Sequence, residues 1–442
     1  MISPLRKSVL IALALIAATL AAAGCGSTSS SGKSSSGASA RGGTLTIADV
    51  APFTGPDAAL GPTYLVACDA ATRAINAAGG VLGHKLTCKA VDTRGDPADA
   101  VPAVNQMYAS TSNLALVIGC TSDEAASVVP IFQQHNTVAF CMTGQSEFDH
   151  VKFPDFFRLV PPDLSESYAM VAIAKNKGYK RIALAFGNDI GSQTFVRPAI
   201  AAIKRAGMQL VANETLDLSA TTFRTEAAAI VNAHPDVILT EALGSPEAAF
   251  LSEVKQLNGG KMIPVIGTSA TISPDWFKSV SAAIGPTVLS THFLADNLVT
   301  ETSEPAYAAF AKAIYAEKGK VGSTGDFSTY LTAPGSVHLY DGINLATLAM
   351  VAAHSTSPSA FKPYIIKIGN GQPGATIVHT FAQGLAALKA GKRIRYIGPG
   401  GPTQFDAYHD SAGLFQVDSY TPNGTVKVAG NLPVSELRAL GL

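Results

Sequence analysis

From residue 44 to the C-terminus, short β-branched runs alternate with alanine-rich amphipathic segments, and no other feature constrains the fold as strongly. Strands spaced by helical patterns of roughly 10–15 residues form βαβ units, whose sheets are parallel and covered on both faces. The strands expected are 45–48, 85–91, 114–118, 137–141, 181–186, 209–213, 237–240, 264–266 and 288–293. Helices are expected over 64–78, closed by Gly79-Gly80, and over 193–206, closed by Gly207, since glycine accepts the left-handed backbone at a helix C-terminus. Further helices are expected over 246–257, 304–318 and 337–353. There is no internal repeat. The expected fold class is α/β, with two doubly wound Rossmann-like lobes.

A chain of 442 residues suits two domains with cores large enough to need no staple. Lys+Arg 32 balances Asp+Glu 32, so no basic field exists to neutralise a phosphate backbone, and nucleic acid is excluded as a partner. Hydrophobic residues reach 47%, but 40 glycines and 25 prolines interrupt them, which excludes a polytopic membrane protein. The exception lies at the start, where Arg6 and Lys7 precede an uncharged apolar run over 9–23 and then Gly24-Cys25. That run is too short to cross ~30 Å of hydrocarbon, so residues 1–24 read as a signal peptide. Ala22-Ala23-Gly24-Cys25 resembles a bacterial lipobox, with Ala22 where leucine is usual. Lipid on Cys25 would supply at least two acyl chains, enough for stable attachment. Ordinary secretion with cleavage near Ala23 is the alternative. Residues 25–43 form a Ser/Gly-rich tether with too little apolar surface to fold. Gly32-Lys33-Ser34 within it follows Gly26 at the wrong spacing for a phosphate loop, and no strand precedes it.

With Cys25 lipidated, Cys68, Cys88, Cys120 and Cys141 remain, an even set in an oxidising compartment. Sequence leaves three connectivities open, and four buried thiols besides. The favoured pairs are Cys68 with Cys88, joining the first helix to the next strand, and Cys120 with Cys141, at the ends of two strands expected to be neighbours.

Several blocks together resemble a family. They are Ala51-Pro52-Phe53-Thr54-Gly55-Pro56, Asn76-Ala77-Ala78-Gly79-Gly80-Val81-Leu82-Gly83, Gly95-Asp96-Pro97 after Asp92, Tyr340-Asp341, and Tyr396-Ile397-Gly398-Pro399 before Phe405-Asp406. The chain is similar in these to the extracytoplasmic solute-binding proteins of ABC transporters, in the leucine/isoleucine/valine-binding group with the type I periplasmic-binding fold. That resemblance implies two lobes around one ligand cleft and three interlobe crossovers, near 158–162, 290–293 and 398–401. Residues 44–160 plus 293–398 would form lobe 1, and 161–292 plus 399–442 lobe 2. It implies a lipid-anchored receptor in the cell envelope that hands a small polar solute, an amino acid, amide or small carboxylate, to an ABC permease. It further implies a monomer, no cofactor and no catalysis.

By the same resemblance, hydroxyl and amide donors after the third and fourth strands hold the ligand, which points to Thr121, Ser122, Gln145 and Ser146. Leu60, Ile190, Gly244 and Ser269 occupy ligand-facing positions where relatives carry aromatic or acidic residues. The carboxylate expected opposite an α-ammonium is thus replaced by Ser269. Either a nearby acid such as Asp123, Asp189 or Glu241 substitutes, or the ligand is not an α-amino acid, the reading favoured here because an unpaired buried ammonium costs several kcal/mol. Trp276, the only tryptophan, follows the Thr268 to Thr271 loop and is expected to report cleft closure.

A secreted, lipid-tethered α/β hydrolase and a ligand-sensing module are the competing functions. Gly267-Thr268-Ser269-Ala270-Thr271 resembles a nucleophile elbow but ends in threonine where glycine is required. Gly369-Asn370-Gly371-Gln372-Pro373-Gly374 matches a dinucleotide fingerprint but contains proline and lacks the following acidic residue, so it reads as a turn. No His/Cys spacing suits zinc, so no metal is expected.

Overall fold

The computed structural model describes residues 42–242, 244–302, 305–320, 327–411 and 413–442. The signal segment, Cys25 and the tether through residue 41 lie outside the described residues.

Strands β1 (Thr44–Ala51), β2 (Lys85–Asp92), β3 (Leu114–Thr121), β4 (Ala139–Met142) and β5 (Phe156–Arg158) form one sheet in the order β2-β1-β3-β4-β5. Every neighbouring pair in it is parallel. The central strand β3 is buried nearly throughout, as expected of a strand covered on both faces and read as a continuous apolar run. One face carries Ile47, Leu116 and Phe140 under the helices Gly61–Ala77 and Pro334–Ala352. The other carries Val50 and Val117 against Val128 and Phe132 of the helix Ser122–Gln134. The helix Pro334–Ala352 is buried on nearly every side, and the polar groups it carries inward, Ser336, Asp341, Asn344 and Thr347, are buried with it.

The second sheet contains β6 (Arg181–Gly187), β7 (Gln209–Leu216), β8 (Val237–Glu241), β9 (Val265–Gly267) and β10 (Phe293–Leu298). Its order is β14-β13-β10-β9-β8-β6-β7, with β13 (Phe415–Tyr420) and β14 (Val426–Leu432) as an antiparallel edge. A short parallel pair, β11 (Thr376–Val378) and β12 (Ile394–Tyr396), lies apart. Both main sheets are of the doubly wound kind the alternation predicts, with separate cores on their faces.

Three expectations need correction. Residues 288–293 are not a strand: Gly285-Pro286 starts the helix Pro286–His292, with proline in the first turn where its missing N–H is harmless, and the strand begins at Phe293. That strand pairs with β9 and β13, so residues 293–298 belong to the second sheet, not to lobe 1. The return crossing follows Leu298. The third crossing also falls later than 398–401, because Phe405 packs in the first core and His409 stacks on Phe157 with ring centroids 4.4 Å apart.

The disulfides are Cys68–Cys88 and Cys120–Cys141, with Cα–Cα separations of 6.0 and 4.9 Å. The first ties the helix Gly61–Ala77 to β2, and the second joins the adjacent strands β3 and β4.

Candidate functional site

The carboxyl ends of both parallel sheets open on one cavity of about 100 Å³. Parallel strands deliver loops and helix N-termini at that edge, which is where open α/β sheets bind ligands. From the first sheet come Asp57 and Leu60 after β1, Thr63 and Tyr64 at the start of the next helix, Thr121, Ser122 and Asp123 after β3, and Met142 and Gly144 after β4. Ala333, Pro334 and Gly335, at the start of the helix Pro334–Ala352, complete that side. The second lobe contributes Asp163 and Glu166 of the helix Asp163–Asn176, Asp189 and Gly191 after β6, Glu241 ending β8, and Ser269 to Ser273 after β9. The lobes already touch: Gly191 N–H donates to Asp123 Oδ1 at 3.0 Å.

Among the described residues six carboxyl side chains line this cavity, Asp57, Asp123, Asp163, Glu166, Asp189 and Glu241, and no lysine, arginine or histidine does. Asp57 is hydrogen-bonded to the Asp123 carboxyl, and several of the others are held by neutral donors. Thr194 Oγ1 donates to Asp163 at 2.5 Å, Ser269 Oγ donates to Glu166 at 2.5 Å, and Thr268 Oγ1 donates to Glu241. Asp189 Oδ1 caps the helix Ile190–Arg205 through Ser192 N–H at 2.6 Å, while its Oδ2 is buried with no hydrogen-bond partner among the described residues. Burial, with mutual repulsion adding to it, raises the affinity of Asp57, Asp123 and Glu241 for protons. Burial likewise pushes Asp163 up to about 7, against the Thr194 bond and the Arg158 charge, which pull it down.

The expected ligand residues divide. Leu60, Thr121, Ser122 and Ser269 line the cavity. Leu60 packs against the cores of both lobes, and Thr121 is committed to a capping box with Glu124. Ser122 Oγ lies 3.1 Å from Thr143 Oγ1, and Ser269 serves Glu166.

Gln145, Ser146, Ile190 and Gly244 are not in the lining. The loop after β4 turns its Gly144 carbonyl to Asp163 N–H, at 2.8 Å, and its Gln145 carbonyl to Arg158 Nη2, at 2.6 Å. Gln145 is therefore buried behind the wall and Ser146 points to solvent. Ile190 is exposed between Asp189 and Gly191, which do line the cavity, and Gly244 caps the helix Ser245–Leu257 instead.

Asp123, Asp189 and Glu241, the acids that could substitute for the absent carboxylate, all reach the cavity. Asp57, Tyr64, Asp163 and Glu166 were missed. Pro161-Pro162 followed by two acids within one helical turn is a helix-start signal that could have placed Asp163 and Glu166 at the sheet edge. Trp276 is fully buried in the second core, its ring 4.7 Å from that of Phe293, and is not part of the cavity lining.

A family described as periplasmic binding protein matches residues 44–420. The Leu/Ile/Val-binding protein homolog 3 of Brucella melitensis is 26% identical over 167 residues, which cover 37% of this chain and 45% of that protein. The chain thus spans less than half the length of the curated relatives it matches. The branched-chain amino acid transporter substrate-binding protein LivJ of Streptococcus pneumoniae, in complex with isoleucine, superposes with a TM-score of 0.69 at 16% identity, covering 88% of this chain and 99% of that one. An ABC-transporter solute-binding protein of R. palustris, in complex with benzoate, gives a TM-score of 0.68 at 16% identity, over 88% and 96% of the two chains. At such identities the likeness establishes the fold.

Proposed function

The chain belongs to the periplasmic binding protein family, and from that premise we propose that it is the substrate-binding receptor of an ABC importer, held outside the cytoplasm by lipid on Cys25, which captures a small polar organic solute between its lobes. The observation that carries this reading is the cavity built from the carboxyl edges of two separate sheets, with Asp123 and Gly191 in contact across it. A site walled equally by two lobes is exposed when they part and enclosed when they meet, which is how a hinged trap binds and releases. The family is one of binding proteins, not enzymes. The relatives named hold isoleucine and benzoate, so on this scaffold the lining selects the ligand.

The experiment is a thermal-shift screen of the Cys25→Ala protein against amino acids, amides, polyamines and small carboxylates. A true ligand is expected to stabilise by about 2.7 kcal/mol at a hundredfold excess over Kd and to be recovered unchanged. A stabilising compound that was chemically converted would restore the hydrolase reading. Cys25→Ala is also expected to move the folded protein from the detergent phase to the aqueous phase in a partition assay. Retention in the detergent phase would refute lipid attachment at Cys25.

A further inference from the structure

The cleft is walled by acids from both sides, and nothing in the wall answers them. Asp57 and Asp123 come from the first lobe, Asp163, Glu166, Asp189 and Glu241 from the second. Gly191 shows how near the two sets come, since a Cβ there would stand 3.2 Å from Asp123 Oδ2 and 3.3 Å from Asp189 Oδ1. Closure therefore brings like charges together in a site of low dielectric, and the hydroxyls of Thr194, Ser192, Thr268 and Ser269 orient carboxylates without neutralising them. Isolated buried charges of this kind are compensated by bound protons or by a bound cation.

We propose that the ligand is a small organic cation, an amine or guanidinium without a compensating carboxylate, and that its charge is the latch which holds Asp57 and Asp123 of one lobe against Asp189 and Glu241 of the other. This rests on the reading of the cleft as a solute trap. Three observations support it. Asp189 belongs to the wall, and the donors beside its carboxyl, the Ser192 N–H and hydroxyl, are both uncharged. The apolar part of the wall, Leu60, Tyr64, Met142, Phe195 and Ile272, suits a short alkyl chain between charged ends. A volume of about 100 Å³ admits only a small solute, the class to which a diamine or a small guanidine belongs. A metal ion fits less well, because among the described residues no His, Cys, Asp and Glu side chains are grouped to hold one.

In the absence of ligand the closed cleft must take up protons, and a cation displaces them. The groups facing one another are the six acids of the wall, with Glu124, Tyr64 and Asp296 close by; the Arg158 cation, which acts on Asp163, lies outside the wall. All these carboxyls favour the protonated form when buried, so cation affinity should rise with pH.

The test is calorimetric titration of the Cys25→Ala chain with 1,4-diaminobutane, agmatine, L-leucine, benzoate and calcium chloride. The diamine or agmatine is expected to bind with proton release, read from buffers of different ionisation enthalpy, and with an affinity that increases at least about tenfold from pH 6 to pH 8. Small-angle scattering should show contraction on adding the cation. Asp189→Asn keeps the Oδ1 cap on Ser192 yet should weaken binding at least about tenfold, as should Asp57→Asn, whereas Glu247→Gln, outside the wall, should leave it unchanged. Binding of leucine or benzoate instead of the cations would overturn the cation latch while leaving the receptor reading intact. Binding of calcium alone would replace the latch with a metal site. Conversion of any probe would refute the receptor reading itself, and cation affinity unaffected by Asp57→Asn and Asp189→Asn would place the cation elsewhere.

Discussion

Arg158→Met is expected to destabilise the protein by about 3–5 kcal/mol, the range for removing one partner of a buried ion pair. Arg158 is fully buried at the end of β5, where the chain leaves the first sheet. Its Nη1 and Nη2 each donate to Asp149 Oδ1 at 2.8 Å, Nη2 donates to the Gln145 carbonyl at 2.6 Å, and Asp410 Oδ1 lies 3.5 Å from Nη1. One guanidinium thus joins three stretches: the loop after β4, the first crossover, and the 406–410 segment that leads into the last one. Methionine restores the volume of the stem but leaves Asp149 and Asp410 as half-buried anions facing each other. Arginine suits this place because its planar fork reaches several acceptors at once, which a lysine cannot do. Chemical denaturation checks the size, and a loss below about 1 kcal/mol would show that the network carries little. Asp149→Asn added to Arg158→Met should recover part of the loss, because neighbours that share a partner do not behave additively.

The value of that residue was not legible in the sequence, and the reason is general to the chain. Periodicity reports which stretches are apolar and how they repeat, so it found the parallel strands β1, β2, β3, β4, β6, β7, β8 and β9, whose neighbours come from the same local βαβ rule. It missed β5, three residues long, and the antiparallel edge, in which β13 pairs with β10 more than a hundred residues away and β14 pairs with β13. It also misread Val288 and Thr291 as a strand, although Gly285-Pro286 had already set a helix start. The site divides along the same line. Ser122, Ser269 and Leu60 sit on loops whose strands were visible, so their place at the sheet edge followed. Gln145 and Ser146 fall outside the lining because the direction of the loop after β4 is decided by Arg158 and Asp163, partners separated in sequence and joined only by the fold. The acidity of the cleft is likewise a property of convergence: with 32 acids and 32 bases in the chain, composition gives no hint that six of the acids face one another.

Stability should be greatest near pH 5 and decline toward pH 8, with Glu247 as a principal cause. Glu247 is fully buried in the second lobe beneath β8, where Thr240 Oγ1 donates to Oε1 at 2.9 Å and Ala242 N–H donates to Oε2 at 2.6 Å. Burial pushes its carboxyl up to about 8, because these two bonds only partly offset the cost of a dry charge. In the unfolded chain the same group titrates near 4.5. Below that pH both states carry the proton and the folded state loses nothing. Between about 4.5 and about 8 the folded protein keeps a proton that the unfolded chain has released, so each pH unit removes about 1.4 kcal/mol per group, and the loss levels off above the folded value. Asp341, buried in the helix Pro334–Ala352 and bonded by Tyr396 Oη and Gly400 N–H, both at 2.8 Å, is pushed up by burial to about 7 and acts in the same direction. At the acid end Asp236 opposes them, since backbone N–H groups of Lys180 and Arg181 hold its carboxyl below the usual range and that support is lost as it protonates. Opening the cleft can hydrate Asp57, Asp123 or Asp189, but it cannot reach Glu247, whose contacts all lie within one lobe. Glu247→Gln should therefore flatten the decline between pH 5 and pH 8 and raise the thermal midpoint at pH 8 by several degrees, while changing it little at pH 5. A wild-type midpoint that rises across that interval, or a Glu247→Gln profile parallel to it, would mean that the carboxyl is ionised in the folded protein and that Thr240 and Ala242 compensate its burial in full.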